Sequence, residues 1–144
     1  MAYLSKDDIT SNKIFMVVDC PIYIFSILIS NVHMAWMRTV AGRLGNGYSY
    51  SPSVYNNFPW LDLNDEYKEK LNQSGKMILD IRAKYSEASL GILYDTSTMP
   101  PDLRKAHSEN DKLVMKLYGI NNNFDEKAIV KELMKLYKQK DSLK

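Results

Sequence analysis

Between Arg38 and Ser51 lie five side chains that could hold a phosphodiester backbone. Arg38 and Arg43 would supply charge, while Tyr48, Tyr50 and Ser51 would supply neutral hydroxyl donors that fix register without reading sequence. Structural uses compete with this: arginines can settle the C-terminal end of a helix, and tyrosines can pack a sheet. Asn46, between Gly45 and Gly47, either meets an adenine edge or turns the chain, because Gly-Asn-Gly is hairpin chemistry. Asn56 has the same two uses within Tyr55-Asn56-Asn57-Phe58-Pro59-Trp60. It can contact base or phosphate, or lock a turn through backbone bonds while Phe58 and Trp60 bury large apolar areas.

Covalent chemistry finds no such cluster. Paired carboxylates, a Ser/His/Asp set and a phosphate loop are all missing from the sequence. His107 and Asp111 stand four apart and read as a helix-stabilising pair, and His33 reads as a packed or capping residue. The single cysteine, Cys20, excludes an internal disulfide and reads as a buried thiol at the end of an apolar strand. Two histidines without cysteine partners do not make a zinc site. The expectation is no catalytic residue, no metal and no cofactor bound by these residues.

These side chains need elements to position them. Ile14 to Asp19 is rich in β-branched and aromatic residues, the mark of a buried strand. Pro21 supplies a first helical position. Apolar residues from Ile22 to Val40 then recur at three- and four-residue steps, predicting one helix to about Ala41, ended by Gly42. A strand or extended hairpin follows Gly47, with Tyr48, Tyr50 and Val54 alternating with serines, and Asn56-Asn57-Pro59 turns the chain. A boundary falls at about residues 61–64. Beyond it, Asn64 or Asp65 caps a long helix whose buried face is Leu71, Ser74, Met77, Ile78, Ile81 and Tyr85. Ser89 to Tyr94 makes a short turn of helix, and Pro100-Pro101 opens a third helix that Gly119 stops. Asn123 and Glu126 form a capping box for the last helix, with Ile129, Leu133, Leu136 and Tyr137 as its stripe. The fold class is therefore α+β: a short mixed unit of strand and long helix, then a small all-α bundle.

Charge follows the same division. Residues 1–60 hold seven Asp, Glu, Lys and Arg side chains, against 29 in residues 61–144. A formal net charge of +2 and no basic tail allow nucleic acid without demanding it. Asp7 and Asp8 stand where a signal peptide would be basic. The apolar run from Cys20 to Val32 is too short for a bilayer span, so the expectation is a cytoplasmic protein with no membrane partner.

From His33 to Trp60 the chain reads HMAWMRTVAGRLGNGYSYSPSVYNNFPW. Arg82-Ala83, LGILYD at Leu90–Asp95, MPPDLRKAH at Met99–His107, Asp111 and Tyr118-Gly119 follow in order. This series, from about Leu4 to about Tyr137, resembles the end of the target-recognition domain and the helical C-terminal domain of type IIL (MmeI-like) DNA methyltransferases. The resemblance implies residues 1–62 as the C-terminal part of a DNA target-recognition domain and residues 63–144 as the helical C-terminal domain. It implies double-stranded DNA as partner, and a methyltransferase core, in cis or in trans, that uses S-adenosylmethionine to methylate a flipped adenine.

In that family, the residue after Arg-Leu and the one two further on form a charged pair reading a base pair. Here they are Gly45 and Gly47, so direct readout at that pair is expected to be lost. The family's Asn-Pro-Pro-Tyr tetrapeptide and glycine-rich cofactor loop are not in this sequence. Its Pro-Pro lies in Met-Pro-Pro-Asp, and no helix opens from Gly45-Asn46-Gly47. The chain alone is expected to transfer no methyl group. Met1 leaves open a gene fragment, a split subunit or a deliberately made piece. A second function class stays open too: a protein–protein or self-associating module without DNA binding, driven by exposed apolar surface on the Phe25–Trp36 helix. A transcription regulator would need a basic reading helix, which is absent.

Overall fold

Ser30 divides what the periodicity predicts as one helix. Its hydroxyl donates to the Ile27 carbonyl at 2.6 Å and accepts from the His33 amide at 3.4 Å. It thereby closes α1 (Ile22–Leu28) and caps α2 (Asn31–Val40). The long helix is thus corrected to two, and Pro21 is an N-cap rather than a first helical residue. The computed structural model describes residues 1–12, 14–121 and 125–142.

Ala41, not Gly42, caps the end of α2, and Gly42 begins a hairpin of β1 (Gly42–Leu44) and β2 (Gly47–Ser49). The strand stops earlier than expected. Pro52, with its fixed φ and no N–H to bond, opens the short helix α3 (Pro52–Asn56), so Val54 is buried on a helix instead of alternating along a strand. The expected strand over Ile14–Asp19 is not formed either. Among the described residues no strand lies beside it to pair with, and Asp19 takes a left-handed φ of 50°. Phe15 instead packs on the rings of Tyr50 and Tyr55, while Ile14, Met16 and Val18 face solvent. Cys20 accordingly ends no strand; it is half-buried before α1, and its carbonyl accepts from the Tyr3 hydroxyl.

The helical part follows the sequence closely. Asn64 caps α4 (Asp65–Lys84) by accepting from the Tyr67 amide, with Asp65 and Glu66 in its first turn and Arg82 and Lys84 in its last. Leu71, Ile78 and Ile81 are buried, but Met77 is 51% exposed, a correction to the expected face. Gly75 takes the inner place instead, because α1 crosses there: a Cβ at Gly75 would strike Ser26 Oγ and come within 2.7 Å of Ile22 Cγ2. Ser89 caps α5 (Leu90–Leu93), and α6 (Pro101–Leu117) carries proline at its start. Gly119 follows at φ +65°, the left-handed stop that glycine favours. The last helix, α7 (Glu126–Asp141), is capped by Asp125, whose carboxylate accepts from the Lys127 amide. The expected cap Asn123 lies outside the described residues.

The fold is α+β, mostly helical with a small two-stranded antiparallel sheet. Its main core joins Val32, Trp36, Val54 and Phe58 to Leu71, Val114, Met115, Ile129 and Leu133, and so runs across residue 62. A second cluster, Ile78, Ile81, Leu93, Leu103 and Ala106, lies between α4, α5 and α6. Polar bonds stitch the two parts together. Ser26 donates to the Leu71 carbonyl, Asn110 donates to the Ser26 carbonyl, and Ser74 donates to Asn110. The Phe25–Trp36 region, expected to bare an apolar face for self-association, is buried by this packing: Phe25 is 4% exposed and Trp36 2%.

His107 and Asp111 do not pair. His107 Nε2 meets the Tyr94 hydroxyl at 2.6 Å, while Asp111 accepts from the Asn31 amide at 2.8 Å, satisfying a free N–H at the start of α2. No described helix is long and apolar enough to cross a membrane.

Candidate nucleic-acid interface

The hairpin projects from the end of α2 with every residue from Gly42 to Ser49 exposed. Its register pairs Gly42 with Ser49, Arg43 with Tyr48 and Leu44 with Gly47. Two residues, Gly45 and Asn46, make the tip. Gly45 has φ +59° and Asn46 does not have a positive φ, the pattern of a II′ turn with glycine at its first central position. Asn46 is therefore a turn residue that also holds its amide in solvent. Leu44 stands beside it, 74% exposed.

Arg43 and Tyr48, opposite each other, form a cation–π pair with the guanidinium carbon 4.3 Å from the ring centroid. This leaves the guanidinium on the surface, flat and preoriented. Arg38 is placed differently. Its Nε and Nη2 reach the two carboxylate oxygens of Glu126 at 2.9 and 3.0 Å, a bidentate pair that lashes α2 to the start of α7. That partnership holds the Glu126 carboxyl below the usual carboxylate range.

Tyr50 turns inward, where its hydroxyl meets His33 Nε2 at 2.8 Å. Burial pushes the Tyr50 hydroxyl far above the usual tyrosine range and pulls His33 down to about 4. The His33 ring also packs edge-on against Phe58, and its Nδ1 has no partner among the described residues. Ser51 is the N-cap residue of α3 without using its side chain, and Asn56 is exposed on the same helix.

Asn56 lines an open cleft of about 470 Å³ with Tyr23, Tyr55, Trp60 and Lys68. The hairpin does not line this cleft. Of the expected residues, then, Arg43, Gly45, Asn46, Gly47 and Tyr48 come together on the hairpin, Ser51 and Asn56 sit on α3, and Tyr50 and Arg38 are tied into the packing. The cleft and the Glu126 partner were missed by sequence reading. Arg38 and Glu126 stand 88 positions apart, and no local pattern joins them.

The hairpin thus presents the Arg43 cation on an exposed turn that follows α2. Residues 1–62 match the family described as "MmeI, target recognition domain", and residues 63–143 match "MmeI, C-terminal domain". The chain belongs to the MmeI family. It is 36% identical over 140 residues to DNA methyltransferase A of Bacillus subtilis (strain 168), covering 96% of this chain and 16% of that protein. It also superposes on a solved structure of the type IIL restriction-modification enzyme MmeI in complex with DNA. There the TM-score is 0.82 at 39% identity, over 86% of this chain and 17% of that one. The chain thus spans about a sixth of the length of these relatives.

Proposed function

We propose that this chain is the DNA-recognition and support part of an adenine-specific DNA methyltransferase of the restriction–modification type. In this reading the hairpin lies against duplex DNA, Arg43 and Tyr48 contact phosphate, and the helical part holds the hairpin still. A methyltransferase core, in cis or in trans, binds S-adenosylmethionine and carries out the transfer. The observation that carries the reading is the exposed Arg43–Tyr48 pair on a hairpin that does little for the core. Family membership over both segments supports it.

Arg38 is better read as structural, since the Nε–Nη2 edge of its guanidinium is engaged by both carboxylate oxygens of Glu126. Gly45 and Gly47 carry no side chain towards a base edge, so no discrimination is expected at the base pair they would face. A chain joined to a methyltransferase core that demanded one particular base there would contradict this.

The reading is tested by fluorescence anisotropy with a duplex at low and at physiological salt. Binding that weakens steeply as salt rises is expected, because phosphate contacts release counterions. No binding at low salt would overturn it.

A further inference from the structure

Helix α6 carries three carboxylates and four cations, and the fold sorts them. Asp102 turns to the Tyr85 hydroxyl and Asp111 to the Asn31 amide. Glu109 alone stays on the outer side, with Arg104, Lys105, Lys112 and Lys116, all of them exposed. Arg104, Ser108, Lys112 and Lys116 recur every four residues, which keeps them on one side of the helix over about 18 Å.

These cations are barely spoken for. Arg104 donates to the Thr96 carbonyl, and Lys105 stands 4.0 Å from Glu109. Lys112 and Lys116 form no ion pair among the described residues. Arg104, Lys105, Ser108, Glu109 and Lys112 line an open groove of about 580 Å³. A surface of excess positive charge, with a hydroxyl and no large apolar side chain but Met99 at one end, fits a polyanion better than a protein core.

We propose that the outer face of α6 is a second contact for the phosphate backbone of the duplex that the hairpin holds. The inference rests on the DNA-binding reading above and adds a second surface to it. Asp111 and Asn31 join α6 directly to the start of α2, and α2 ends at the hairpin. From that joint, the hairpin lies about 15 Å away along α2, and Arg104 about 10 Å away along α6. Both cationic surfaces therefore fall within one duplex turn of about 34 Å. Because the contact is to phosphate, it adds affinity for every sequence and selects none.

The test compares log affinity against log salt for three chains, by anisotropy, with two duplexes of unrelated sequence. They are the unchanged chain, an Arg104→Gln/Lys105→Gln/Lys112→Gln variant, and a charge-matched control with Lys84→Gln, Lys131→Gln and Lys138→Gln. Glutamine is a good helix former, so melting by circular dichroism should be unchanged. The α6 variant is expected to lose about 2 to 3 units of salt slope, equally on both duplexes, while the control keeps its slope. The milder Lys112→Gln/Lys116→Gln pair should lose about 1 to 2 units, and it carries the test should the triple variant melt early. Binding by the unchanged chain with no slope change in the α6 variants would overturn the second contact and leave the hairpin reading intact. An equal loss in the control would overturn it as well, since net charge would then be the cause. No binding by the unchanged chain would overturn both.

Discussion

Gly45 and Gly47 look alike in sequence but are held for different reasons. Gly45 has φ +59°, where a side chain is strained, whereas a Cβ at Gly47 would meet only the Leu44 carbonyl at an ordinary 3.7 Å. Gly45→Arg should cost about 1 kcal/mol or more, and Gly47→Arg should stay within about 0.5 kcal/mol of the parent. Denaturant unfolding checks both values. If the hairpin lies on DNA, Gly47→Arg should also tighten duplex binding, which anisotropy reads directly. The histidines set a second residue-scale expectation. Burial draws His33 and His107 down to about 4, with Arg82 and the N-terminus adding to the effect at His107. A folded value below the unfolded one gives stability that is present above about pH 6.5 and lost as pH falls towards 4. Asp111 runs the other way. Burial raises it to about 6, so its contribution is largest below the usual carboxylate range and falls as pH rises through 6. Two groups against one predict a net loss of stability between pH 6.5 and 4.5, which His107→Gln should largely flatten. A pH-independent unfolding midpoint in the parent chain would contradict this.

Which elements could be foreseen depended on whether their signals were local. The limits of α4, α5 and α6 are written in Asn64, Ser89, Pro101 and Gly119, each acting on neighbours within a few residues. The break at Ser30 was hidden because Ile29 and Val32 continue the apolar period across it, and only the hydroxyl's bonds to Ile27 and His33 reveal two helices. The strand expected at Ile14–Asp19 needed a partner strand, which no local composition can supply. At the site, the glycine-tipped hairpin was legible from turn chemistry, but the inward turn of Tyr50 and the capture of Arg38 by Glu126 are long-range facts. Gly75 was equally silent. It lies inside a helix, where alanine is normally preferred by about 1 kcal/mol. Here the crossing of α1 leaves no room for a methyl group. Gly75→Ala should therefore destabilise by about 1 to 3 kcal/mol, the usual cost of overpacking. A thermal melt showing Gly75→Ala at or above the parent would mean that α1 and α4 are less tightly joined than the structure indicates.

At the scale of the molecule, the two matched segments act as one support. The core that binds α2 and α3 to α4, α6 and α7 fixes the base of the hairpin, and the Asp111–Asn31 bond ties α6 to the same helix. Such a base suits the hairpin's proposed contact with DNA, because a site on a rigid element keeps its geometry. The central claim is that the hairpin is the surface that meets DNA. Amide chemical-shift mapping of the isotope-labelled chain during titration with a short duplex at low salt tests it most directly. The account predicts saturating shifts centred on Arg43 to Ser49, with Ile78, Leu103 and the rest of the inner core unmoved. Saturable binding that leaves the Arg43–Ser49 amides in place, or no shifts anywhere, would contradict it.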